Sequence, residues 1–243
     1  MRAMADRPPA AVVFGARNTG RAIVAERLAA GWGALAVART DATLRALEEA
    51  HPGALTLRGD AADTAVVRAA VARAEDEIGP VRLVVNAVTA APRGGPFGGG
   101  PVVRAPEDAI DAWLAGFVPM AWSVLRVAGE ELARRGRGTL VQVVGGSARR
   151  PIPGRAMWGA AQHAARALTL GLAQELRPEG VHVALLVADG VIETERRPLG
   201  DDPPDAVLDP AGIAAAVGYL ASQGPRGWTH EMAVTPRLEP WTP

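Results

Sequence analysis

Between Thr139 and Leu176 the chain runs from an apolar stretch, Thr139 to Val144, through Gly145-Gly146, Ser147 and a Pro/Gly-rich loop at 151–154 into a long Ala/Leu-rich helix. That order of strand, loop and helix constrains the fold more than any other feature, because it repeats. Ala11 to Phe14 precedes an amphipathic helix at Arg21 to Ala30, and Ala54 to Leu57 precedes one at Thr64 to Ile78. Val181 to Val187 is followed, after a longer connection, by a helix at Ala211 to Ser222, and further apolar runs stand at Ala34 to Ala38 and Val81 to Val85. Strands that alternate with helices pair in parallel, with helices returning across the sheet, so the expected class is α/β. Asp63 is placed to cap the helix at Thr64, because its carboxylate can accept from the free amides of the first turn.

With 243 residues, 49% of them hydrophobic, and no break in composition, the chain is long enough for one domain with a large core. That domain is expected over 10–243, behind a flexible tail at 1–9. Acidic and basic residues number 26 each and are interspersed, so neither nucleic acid nor a membrane surface is an expected partner. The lack of cysteine excludes a thiolate nucleophile, and no His/carboxylate cluster has metal-ligand spacing, so no metal is expected. All 26 basic residues are arginine, which excludes Schiff-base chemistry on lysine. No run of about eighteen apolar residues occurs and Met1 to Pro9 lacks a signal-peptide core, so a soluble cytoplasmic protein is expected.

The first strand ends in Gly15-Ala16-Arg17-Asn18-Thr19-Gly20 and leads into a helix, a unit whose helix N-terminus can hold a pyrophosphate. The second strand ends at Arg39-Thr40, where an acidic residue would bond a ribose diol. Arg39 together with Arg17 favours a 2′-phosphate instead, so that a dinucleotide, if one binds, is expected to be NADP(H), because guanidinium groups hold phosphate in bidentate geometry; the alternative is that both arginines are solvated surface residues. The candidate cofactor-binding residues are Gly15, Arg17, Asn18, Gly20 and Arg39, joined by Asp60 after the third strand and Asn86 after the fourth.

These segments, with the one from Gly145 to Leu176, resemble the short-chain dehydrogenase/reductase family. The resemblance implies a doubly wound, Rossmann-like, mostly parallel seven-stranded sheet with helices on both faces, its last strand at the end of Gly227 to Val234. It implies that Asp60 contacts the adenine ring, that Asn86 belongs to a partly structural Asn-Asn-Ala-Gly motif, and that helices at 107–135 and 155–176 join a homodimer or homotetramer. The family's catalytic Ser, Tyr, Lys and Asn match Gly145, Trp158, Gln162 and Phe117. An indole does not ionise usefully, an amide carries no charge and glycine has no side chain, so the usual proton transfer is not available from these groups. Two other departures stand out. The family's Gly-x-x-x-Gly-x-Gly reads Gly-x-x-x-x-Gly here, and Asp189 replaces a proline in Ala188-Asp189-Gly190, ahead of a segment, Glu193 to Asp209, in the place of the family's substrate lid. The Asp-Gly pair and Trp228-Thr229-His230-Glu231 resemble an atypical branch of the family.

Polar or aromatic groups that remain to line the cleft are Ser147, Asp189, Glu193, Gln142, Gln162 and Trp158. Of these Asp189, Ser147, Trp158 and Gln162 are the candidate catalytic residues. Asp189 reads either as a desolvated acid/base with raised pKa or as a turn former, and Trp158 either stacks on a planar substrate or fills the pocket. His163 follows Gln162 and so points about 100° away around the helix, towards a subunit interface; His182 reads as core and His51 as surface. The Gly/Pro-rich stretch from Ala90 to Pro106 is expected to lack regular structure and to shape the substrate or merely connect. Three functions follow in order: a small-molecule enzyme performing a non-redox cyclisation, isomerisation or elimination; an NADP(H)-dependent reductase with a substitute proton donor; a non-catalytic pseudo-enzyme partner subunit.

Overall fold

The computed structural model describes residues 7–89, 91–92, 95–194 and 197–240. In chain order its elements are β1 (Ala10–Phe14), α1 (Asn18–Ala29), β2 (Gly33–Ala38), α2 (Asp41–Ala50), β3 (Ala54–Arg58), α3 (Thr64–Glu77), β4 (Val81–Asn86), α4 (Ala109–Ala133), β5 (Gly138–Gly145), α5 (Ala156–Leu176), β6 (Val181–Ala188), β7 (Val191–Ile192), β8 (Val207–Leu208), α6 (Pro210–Ser222) and β9 (Glu231–Val234). Seven strands form one sheet in the order β3-β2-β1-β4-β5-β6-β9, with every neighbouring pair parallel. β7 and β8 pair separately.

Side chains alternate across a strand, and the two faces of this sheet are covered by different helices. Ala10, Val12 and Phe14 of β1 pack with α3, α4 and α5, whereas Ala11 and Val13 pack with α1, α2 and α6. Burial on both faces is why the strands read as unbroken apolar runs. α4 is long and apolar enough to cross a membrane, yet 56% of its most apolar window is buried in this fold. Asp63 caps α3 as expected, accepting from Ala65 N at 2.8 Å.

Residues 7–9, expected within a flexible tail, are bound to the domain. Pro9 O accepts from Gly33 N at 3.0 Å, and Arg7 donates to the carbonyls of Glu75 and Asp76 at 3.1 and 2.6 Å, so residues 7–9 are fastened to the domain. Residues 1–6 lie outside the described part. The stretch 90–106 contains one turn of 3-10 helix, Val102–Arg104, and its Ala90, Arg93 and Gly94 also lie outside it. His182 is buried on β6 with Nε2 2.8 Å from Thr229 O. Burial, opposed by the bond to Thr229, holds its pKa below the ordinary histidine value. His51, expected at the surface, is half-buried.

Candidate active site

A cleft of about 740 Å³ opens at the carboxyl ends of the strands, beside β1 and β4 where the strand order reverses direction. The glycine loop forms one wall. Gly15 has φ +96°, and a Cβ there would come within 2.9 Å of Ala87 O; a Cβ at Gly20 would stand 1.5 Å from Gly15 O. Two glycines therefore let the loop fold back on itself and pass against the exit of β4. Asn18 has φ 40° and is the one non-glycine residue with positive φ among the described residues. Asparagine tolerates the left-handed region, so Asn18 makes the bend in a loop one residue shorter than the familiar glycine pattern.

α1 begins at Asn18 with no side-chain cap and no acidic residue in its first turn. Its first amides lie beside the cleft with the positive end of the helix dipole, an arrangement that favours an anion. Arg17 and Arg39 both line the cleft and are exposed. Arg39 Nη1 lies 3.9 Å from Asp60 Oδ2, with side chains 61% and 46% exposed, so water and salt screen the pair and it does not consume the arginine's charge. Thr40 and Thr43 complete this end. Asn86 sits beneath the surface: its Nδ2 donates to Gln142 Oε1 at 2.9 Å and its Oδ1 accepts from Val88 N at 3.2 Å. It fixes the exit of β4, and Gln142 is spent in the same network, donating to Val143 O.

The opposite end is bounded by Met120 of α4 and by Ile192 and Thr194 after β6. Here the expected reactive groups are packed away. Trp158 is 6% exposed, and its ring lies 5.4, 5.8 and 5.6 Å from those of Phe117, Trp113 and Phe97. Its ring is thus packed against three others. Gln162 is buried and accepts from Gly145 N at 2.7 Å, holding the end of β5, while its Nε2 has no partner. Ser147 is buried in a single 3-10 turn, Gly146–Ala148. Glu193 N bonds Leu208 O, and His163 is exposed with Nδ1 2.9 Å from Gly159 O.

Asp189 differs most from expectation. It is buried but not an unpaired acid: Arg150 Nη2 and Nε lie 2.8 and 3.4 Å from its oxygens, and Arg150 also reaches Glu239 at 3.3 Å. Hydrogen bonding to Asp189, opposed by burial, holds the Arg150 guanidinium more firmly protonated than usual. A Cβ on Gly146 would fall 1.8 Å from Asp189 Oδ1, so Asp189 in this position requires glycine there. Sequence reasoning missed Arg150, Phe97 and Met120. The Arg149-Arg150 pair behind Ser147 was the available signal for the first; the others depend on contacts far apart in sequence.

Among the described residues no group of three or more His, Asp or Glu is placed to hold a metal ion. Residues 9–201 match the model of the short chain dehydrogenase family, and the chain belongs to that family. Solved structures share the fold. A short-chain dehydrogenase from Rhodopseudomonas palustris is 23% identical with a TM-score of 0.74, over 94% of this chain and 98% of that one. A metagenomic short-chain oxidoreductase in complex with NADP is 24% identical, TM-score 0.74, over 95% and 98%. A serine dehydrogenase complexed with NADP+ is 17% identical, TM-score 0.81, over 96% and 97%. A search of the curated proteins returns no match.

Proposed function

We propose that this protein is an NADP(H)-dependent oxidoreductase that works without the family's side-chain proton relay. The observation that carries the reading is the chemistry of one cleft wall: an uncapped helix N-terminus, a glycine cradle a Cβ would fill, and two exposed arginines, Arg17 and Arg39. Those groups fit a dinucleotide with a 2′-phosphate: Gly15, Asn18 and Gly20 would flank the pyrophosphate, Arg17 and Arg39 the 2′-phosphate, and Asp60 the adenine side. Thr194 at the far end is the hydroxyl available to a carboxamide. NADP bound in similar structures supports the same reading and gives none to a non-redox cyclisation, isomerisation or elimination.

When bound, such a cofactor supplies or accepts hydride. The chain's own part is to hold it and exclude competing groups. By the resemblance in sequence, Gly145, Trp158, Gln162 and Phe117 match the family's Ser, Tyr, Lys and Asn, and none of the four offers a titratable proton. With Asp189 tied to Arg150, the Glu193 carboxyl, the Ser147 hydroxyl and solvent are the proton sources that remain. The expected turnover is correspondingly slow, short of the roughly 10²–10⁴-fold that a positioned acid contributes. NADPH deuterated at the hydride-donating carbon, incubated with a panel of aldehydes and ketones, tests this: deuterium in a product alcohol is expected, and none in any product overturns the oxidoreductase reading. Helices α4 and α5, with Trp122 half-exposed on α4, are the proposed faces of a homo-oligomer.

A further inference from the structure

The ring of Phe97 is 54% exposed although it belongs to an aromatic cluster with Trp113, Phe117 and Trp158. It stands edge-on to Trp113 at 6.1 Å and tilted to Trp158 at 5.6 Å, with the Arg155 guanidinium 5.4 Å from its centroid. Two indoles and a guanidinium thus make three walls of a box, and Phe97 closes it from the solvent side. The backbone that delivers Phe97 is three successive left-handed glycines, Gly98, Gly99 and Gly100, at φ +89°, +94° and +76°. A Cβ on Gly98 would meet Arg155 at 2.6 Å and one on Gly99 would meet Met157 at 2.3 Å, so the loop lies directly on the first turn of α5. Gly100 N, donating to Gly154 O at 3.0 Å, anchors it.

The box adjoins the cleft. Trp113, Phe117 and Met120 share one face of α4 by their spacing, and Met120 is the residue of that face that lines the cleft. A ring seated in the box would therefore lie next to the end of the cleft away from Arg39. Indole faces and edges favour aromatic over aliphatic groups, and a guanidinium over the ring favours an electron-rich one.

We propose that Phe97 is an internal stand-in for the substrate, and that the box of Trp113, Trp158 and Arg155 binds a flat, electron-rich aromatic ring system that displaces it. This names the substrate class for the site proposed above and rests on that reading. The Phe97 ring competes with the ligand, so its removal raises apparent affinity by the inverse of the fraction of time the box stands open.

Isothermal titration with 2-naphthol, its saturated counterpart trans-2-decalol, and NADPH tests the assignment on the wild-type chain and on Phe97→Ala. Naphthol is expected to bind Phe97→Ala at least about fivefold tighter than wild type, and decalol about tenfold weaker than naphthol on the same variant. Arg155→Gln is expected to lose naphthol affinity by roughly threefold to fivefold. Should Phe97→Ala fail to fold, Phe97→Leu still seals the box but without ring contacts to the indoles, so it stands open more of the time and a smaller gain, about twofold, is expected of it. Unchanged or weaker naphthol binding in the Phe97 variant, or equal binding of decalol, overturns the proposal. NADPH affinity is expected to be the same in wild type and variant. If neither binds NADPH while naphthol behaves as expected, the cofactor reading has failed and the aromatic box has not.

Discussion

The two ends of the cleft are built on opposite plans. At the Arg39 end the charged groups are exposed, the backbone is bare and the helix dipole is uncapped. At the Trp158 end three of the four candidate groups are engaged by the protein itself: the indole by three other rings, the Gln162 amide oxygen by Gly145 N, and the Asp189 carboxylate by Arg150. Groups suited to a phosphate and groups suited to moving a proton are separable on one scaffold, and the exposed ones here are the arginines Arg17 and Arg39 beside the glycine loop. A buried polar group that is fully paired serves the fold; an exposed one that is loosely paired is available to a ligand.

The contrast can be broken by substitution, and the largest effect is expected at Trp158. Trp158→Ala removes a buried ring from the aromatic cluster and is expected to lower stability by about 3–5 kcal/mol in denaturant titration while leaving NADPH affinity within twofold. A collapse of NADPH binding in folded protein would mean that the two ends are coupled. Next come Asp189 and Gly146. Asp189→Asn leaves Arg150 facing a neutral amide and is expected to cost about 2 kcal/mol, discounted from a fully buried pair because Arg150 is partly exposed. Gly146→Ala is expected to cost about 1–3 kcal/mol, since its methyl meets Asp189, whereas Gly145→Ala has its nearest neighbour, Gln162 Oε1, at 3.8 Å and is expected to be nearly silent. Activity lost in Asp189→Asn at unchanged stability would restore Asp189 as a catalytic acid.

Arg39→Ala is expected to weaken NADPH binding about tenfold, equivalent to roughly 1.4 kcal/mol, without changing affinity for NADH, which lacks the 2′-phosphate. Equal losses for both nucleotides would assign Arg39 to a different part of the ligand. The smallest effect concerns pH and lies outside the cleft. His182 titrates below its ordinary value because burial against Trp228 and His230 outweighs its bond to Thr229. The unfolded chain therefore takes up this proton first as pH falls, so stability is full above the ordinary histidine range and declines as pH drops through it towards the folded value. Melting temperature measured from pH 7 down to pH 5 is expected to fall, and to fall less steeply in His182→Gln.

Most of the fold was legible in the sequence because it is written in short-range patterns. Apolar runs and helix periodicity place α3 and α6 within one residue of their observed ends, 64–77 and 210–222, and Asp63 is the cap the sequence indicates. The glycine loop was legible too, although the role of Asn18 in replacing a glycine emerges only from its backbone angle. The inner end was not. Asp189 finds Arg150 across 39 positions, Arg150 finds Glu239 across 89, and Phe97 meets Trp158 from another segment altogether. No local pattern encodes such pairings, so a lone Asp-Gly reads equally as an acid or a turn. The docking of residues 7–9 has the same origin: Arg7 meets Glu75 and Asp76 across 68 and 69 positions, and no local pattern encodes those bonds.

Calorimetric titration of the wild-type chain with NADPH and NADH side by side addresses the open, arginine-lined half most directly. Saturable binding of one NADPH per chain in the micromolar range, at least about tenfold tighter than NADH, is expected from two guanidinium groups beside the 2′-phosphate. Equal affinity for the two nucleotides, or no heat with either at millimolar concentration, would contradict it.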